Sequence, residues 1–108
     1  MCDMPDSAWY AVRCVFKMME GSGTYEERVT LWVATSAEEA IDKAEAEAIE
    51  YSEGLGQYLG FAQSFRMDGG PADGSEVFSL MRDSDLDPNQ YVTRFFGTGA
   101  ERARDYGE

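Results

Sequence analysis

The sequence predicts an α+β domain in which an antiparallel sheet of four strands carries one helix on one face, in the order β-β-α-β-β. Three observations lead there. Apolar residues alternate with period two over residues 9–18 and again over 25–34. The period then changes to 3.6 over residues 37–53. Two further strand-like runs follow, set apart by glycine-rich turns.

The first strand, WYAVRCVFKM at 9–18, puts Tyr10, Val12, Cys14, Phe16 and Met18 on one face, because strand side chains alternate. That set is a core face. Trp9, Ala11, Arg13, Val15 and Lys17 fall on the other. EGSGT at 20–24 is a turn, and YEERVTLWVA at 25–34 completes a hairpin. Hydropathy assigns Val29, Leu31 and Val33 of the second strand to the core and leaves Arg28, Thr30 and Trp32 outside. With Met19 opposite Thr24, Val12 meets Leu31 and Tyr10 meets Val33. Trp32 then lies across from Ala11, and Lys17 across from Glu26.

In TSAEEAIDKAEAEAIEYSEG, Ser36 and Glu39 form an S-x-x-E capping box, and Gly54 or Gly56 ends the helix. Its inward stripe is Ala37, Ala40, Ile41, Ala44, Ala48 and Tyr51, small enough for close approach to a sheet. Its outer surface carries seven acidic residues (Glu38, Glu39, Asp42, Glu45, Glu47, Glu50 and Glu53) against Lys43. The third strand, QYLGFAQSFRM at 57–67, is expected to bury Leu59, Phe61, Phe65 and Met67 and to turn Tyr58, Ala62, Ser64 and Arg66 away. DGGPADG is a turn, and EVFSLMRDS at 76–84 is the fourth strand with Phe78 and Leu80 inward. DLDPNQY reads as a helical turn capped by Asp87 with Pro88 at its first position. YVTRFFG adds a short fifth strand or a packed extended segment, and Thr98 to Glu101 repeats a capping pattern.

A helix of about 16 residues returns the chain some 24 Å. The third strand can therefore pair antiparallel with the first, giving the spatial order 2-1-3-4. Residues 1–8 are expected to form a flexible leader before a single domain at 9–108. One helix covers one face, so the other must meet water or a partner. That open face is expected to gather Trp9, Arg13, Lys17, Arg28, Trp32, Tyr58 and Arg66, together with Val15. Trp, Tyr and Arg are the residue types enriched in binding hot spots. Three occupants are consistent with it: the C-terminal segment around Phe95 and Phe96, a second copy or protein partner, and an anionic ligand or single-stranded RNA whose bases stack on open-sheet aromatics.

Composition narrows the function classes. The 108 residues carry a net charge of -12, which repels double-stranded nucleic acid and anionic membranes. No apolar run reaches the roughly 18 residues of a spanning helix. MCDMPDSAW lacks the basic-then-apolar pattern of a signal peptide, so a cytoplasmic location is expected. There is no histidine, which removes the usual general base. Cys2 and Cys14 occupy settings too different for a disulfide or a zinc cage. Asp83, Asp85 and Asp87 begin like a calcium loop, but Pro88 and Arg94 stand where glycine and glutamate are needed. No catalytic residue, metal or cofactor is expected.

The set WYAVRCVF, YEERVTLWVATSAEEAIDKAEAEAIEYSE, YLGF, GSEVFSLMRDSDL and YVTRFFGTGAER spans nearly all of the chain after residue 8. In order and spacing it resembles the small bacterial protein family numbered 4288 among the domains of unknown function. The resemblance implies a bacterial single-domain protein and supplies no activity. The expected function is thus a non-enzymatic binding or self-associating domain, a homodimer or the partner of another protein. The alternatives are an acidic antitoxin-type or immunity-type inhibitor of a basic protein, and a small enzyme or anionic-ligand binder using Arg13, Arg28 and Arg66.

Overall fold

The computed structural model describes residues 6–21 and 23–96. Its elements are β1 (Ala8–Met18), β2 (Tyr25–Ala34), α1 (Ala37–Ser52), β3 (Gly56–Arg66) and α2 (Pro88–Phe96). The class is α+β. The sheet is antiparallel with order β2-β1-β3, so β1 is central as expected, while β3, which the order 2-1-3-4 also made central, is an edge strand among the described residues.

The core forms where expected on β1 and α1. Tyr10, Val12, Cys14 and Phe16 are buried beneath Ala40, Ala44 and Ala48. An alanine stripe removes little volume, so the helix lies close to the sheet and large side chains come mainly from the strands. Phe16 fills the centre, with Tyr51 5.3 Å away in an edge-on arrangement and Tyr58 at 5.6 Å. The helix start also follows its expected chemistry, with one change. Glu39 N–H donates to Ser36 Oγ at 3.0 Å, but the Glu39 carboxylate reaches back to Thr35, accepting from its backbone N–H at 2.6 Å and its hydroxyl at 2.8 Å. These bonds hold the Glu39 carboxyl below the usual carboxylate range.

The faces of β2 are exchanged relative to expectation. Met18 N–H, not that of Met19, donates to Thr24 O at 2.9 Å, and the pairs run Lys17 with Tyr25, Val12 with Thr30 and Tyr10 with Trp32. One more residue in the loop shifts the register by one, and period two turns every side chain over. Glu26, Arg28, Thr30, Trp32 and Ala34 therefore share the helix side, while Val29, Leu31 and Val33 lie on the other. Gly21 at φ 80° serves this turn, where a side chain would be strained and an added Cβ would come within 2.6 Å of Thr24 Oγ1.

β3 is exchanged in the same sense. Ala62 pairs with Cys14 and Tyr58 with Phe16, so four residues of β3 span two of β1. The two extra residues make a bulge around Gly60, whose φ is 79°. An even insertion preserves facing, so Tyr58 and Ala62 both pack toward α1. Leu59 and Phe61, expected inward, are exposed, and Phe65 turns to the far face. The small Ala62 suits the alanine stripe of the helix, which leaves no room for a phenylalanine there.

A fourth strand is absent among the described residues, and so is a fifth. Ser75 Oγ accepts from Ala72 N–H at 2.7 Å, and Ser75 N–H donates to Ala72 O at 3.0 Å. This local turn sends the chain across the sheet instead of back along the edge of β3. Phe78 then rests on Phe65, with centroids 6.0 Å apart, and beneath Arg13. YVTRFFG belongs to α2, not to a strand. Asp87 Oδ1 accepts from Gln90 N–H at 2.9 Å, and Gln90 Oε1 accepts from Asp87 N–H at 3.3 Å, a reciprocal cap placed just before Pro88. The expected cap at Thr98 to Glu101 lies outside the described residues, as does most of the expected leader, since β1 already starts at Ala8.

Candidate interaction surface

The seven residues expected to share one surface divide between two. Arg28, Trp32 and Tyr58 lie on the helix side of the sheet. Trp9, Arg13 and Lys17 lie on the side that α1 leaves uncovered. Arg66, paired with Tyr10 at the end of β3, is exposed. The expected grouping fails because the registers of β2 and β3 both differ by one from the hydropathy assignment.

On the helix side, the polar residues of β2 reach the flank of α1. Arg28 donates from both terminal nitrogens to the Glu47 carboxylate, at 2.7 and 2.8 Å, and its guanidinium carbon sits 3.7 Å above the Tyr51 ring. The bidentate bond keeps the Glu47 carboxyl below the usual range and raises Arg28. Tyr51 donates to Glu26 at 2.8 Å, and Tyr58 to Glu45 at 2.5 Å. Burial first, and then the bond to Glu45, pushes the Tyr58 hydroxyl up. Trp32 Nε1 donates to Thr30 Oγ1 at 2.7 Å. Burial raises the Cys14 thiol and keeps it protonated, hence inert as a nucleophile. These contacts are internal. They attach β2 and β3 to the helix.

The uncovered face is different. Its centre is sealed by the chain after β3: Met67 N–H donates to Trp9 O at 2.9 Å, Gly70 passes against the Trp9 indole, and Phe78 lies over Arg13 at 5.1 Å. Ala11 beneath is fully buried. Arg13 also pairs with Glu27 at 3.3 Å and hydrogen-bonds Gln63, so its charge is spent within the chain. Around this seal the apolar surface continues outward. Val29, Leu59 and Phe61 are exposed, as are Val77, Leu80 and Met81 on the crossing segment. Lys17 sits at the rim, its ammonium 4.9 Å above the Tyr25 ring.

Beyond the crossing segment, α2 stands clear of the other four elements. Tyr91, Val92, Phe95 and Phe96 line one flank of it at helical spacing, and none is buried. Among the described residues Arg82 packs there, 4.3 Å above Phe95 and bonded to the Tyr91 hydroxyl at 2.9 Å, and Arg94 of α2 itself lies 6.0 Å from the Phe95 ring. The strand reading hid this flank. A capped Asp-Pro start followed by apolar residues at i, i+1, i+4 and i+5 was the signal for it in the sequence.

No group of three or more potential metal ligands occurs among the described residues, and no helix there is long and apolar enough to cross a membrane. No family model, curated protein or solved structure matches the chain.

Proposed function

We propose that this protein is a non-enzymatic binding domain that self-associates through the uncovered face of its sheet. The observation that carries the reading is the exposure of six large apolar side chains, Val29, Leu59 and Phe61 on the flanking strands and Val77, Leu80 and Met81 on the crossing segment. Large patches of this kind mark interaction sites on otherwise ordinary monomers. Electrostatics agrees with it. The acidic outer residues of α1, Glu38, Asp42, Glu50 and Glu53, lie on the opposite side, so two copies can meet sheet to sheet with their strongest negative charge held apart. The polar contacts of Arg28, Glu47, Tyr51 and Tyr58 are all satisfied internally, which favours scaffold over catalyst.

The bacterial origin, cytoplasmic setting and membership of family 4288 belong to the same reading. Sedimentation equilibrium tests the proposal. The wild-type chain is expected at twice its 12.0 kDa mass, with Val29→Glu shifting it toward monomer. A monomer at high micromolar concentration would end it. The acidic surface of α1 supports a second reading, an inhibitor of a basic protein. That reading requires reversal of Asp42 and Glu50 to lysine to abolish binding to a basic protein partner.

A further inference from the structure

Resting on the self-association reading, we propose that residues 79–96 form an exchanged arm: α2 of each copy docks on the uncovered sheet face of the other. A nine-residue helix has little stability by itself in water and depends on packing its apolar flank. Within the described residues the flank at Tyr91, Val92, Phe95 and Phe96 meets Arg82 and, from α2 itself, Arg94. Val92 and Phe96 are each 56% exposed, Phe95 41% and Met81 94%. The radius of gyration records the same extension, 16.5 Å against about 13 Å for a compact chain of ~100 residues.

Geometry and area favour a second copy as the occupant. The chain is held to its own sheet at Met67, Gly70 and Phe78 and then leaves it. Nine residues separate Phe78 from Pro88, a reach of up to about 30 Å when extended, enough to cross to a neighbour. The exposed fractions of Leu80, Met81, Val92, Phe95 and Phe96 amount to roughly 600 Å² of apolar side chain, at about 150–250 Å² for a large residue. Reciprocal docking hides that area twice, together with the sheet surface beneath it. The total passes the roughly 1,200–2,000 Å² of stable interfaces. A two-fold exchange also closes on itself, leaving no unpaired arm to propagate.

The test combines mass with proximity. Wild-type protein and the double variant Phe95→Asp, Phe96→Asp are compared by sedimentation equilibrium. A 1:1 mixture of isotope-labelled and unlabelled wild-type chains is examined by isotope-filtered NOE spectroscopy. The expected result is a wild-type dimer, association weakened at least about 100-fold by the variant, and intermolecular cross-peaks between the Phe95 or Phe96 rings and the Val29 methyls. The variant should keep the β1–α1 core folded, read as retained amide protection at Phe16 and Ala44, while losing the α2 share of the helical circular dichroism signal, since both rings lie outside the core. A wild-type dimer that the variant leaves intact, or cross-peaks only within one chain, overturns the exchanged arm while the sheet-face reading stands. A wild-type monomer overturns both.

Discussion

Replacing Arg28 with alanine tests the register of β2, on which the division of the surface depends. In the observed register the guanidinium makes two bonds to Glu47 and covers Tyr51 at 3.7 Å. In the register that hydropathy favours, it would point to the far side and touch neither. The two side chains of the pair retain 26% and 33% exposure, so solvent screening keeps the ion pair near the upper end of surface values, about 1 kcal/mol. The ring contact adds about 0.5–1 kcal/mol. Arg28→Ala is therefore expected to cost about 1.5–2 kcal/mol in urea unfolding at pH 7. A double-mutant cycle with Glu47→Ala isolates about 1 kcal/mol of coupling. The sign of its pH dependence is set. Arg28 lowers the Glu47 carboxyl in the folded state, so the coupling is complete above the ordinary glutamate value of about 4.3. It fades as pH falls below that value and through the lower folded one. A coupling under about 0.3 kcal/mol at pH 7, or one that grows in acid, would refute the observed register.

Other outcomes follow from the core and the turns. Phe16→Ala should cost about 3–5 kcal/mol, because the ring is fully buried between two tyrosines. Calorimetry should find little or no cooperative transition left. Gly56→Ala should cost about 1–3 kcal/mol, since its Cβ would lie 2.3 Å from Lys17 O, a backbone atom that cannot swing aside. Loss of amide protection along the β1–β3 ladder in hydrogen exchange would accompany it. Cys14 should resist iodoacetamide in the folded protein and react on unfolding, because burial both shields its thiol and raises it. Peptide mass spectrometry at neutral pH reads this directly, and rapid native-state alkylation would contradict the buried placement.

Local signals decided much of the fold. The alternation in β1 named Tyr10, Val12, Cys14 and Phe16 as core, and the 3.6 period with its Ser36 start defined α1 and its alanine stripe. These were legible because each is strong within a dozen residues and needs no distant partner to interpret it. The Asp87 cap was equally local, yet the aromatic run that follows it reads as readily as strand as helix, so the length of α2 was missed.

Facing on β2 and β3 was a different kind of problem. Arg28 and Glu26 look solvent-bound by hydropathy, and Leu31 looks buried. The acidic flank of α1 supplies partners for the first pair, so the helix side tolerates them. The uncovered face, sealed by Phe78 and the chain around it, accepts Leu31 and Phe65. When both faces of a sheet are partly covered, polarity no longer marks inside from outside, and the length of one turn and the start of β3, where Gly56 pairs with Met18, settle the matter. The sequence by itself thus determined the class, the central strand, the helix and its charge. Tertiary structure alone decided which side each flanking residue joined, because that depends on register across the sheet and on a chain segment that packs Phe78 instead of pairing as a strand.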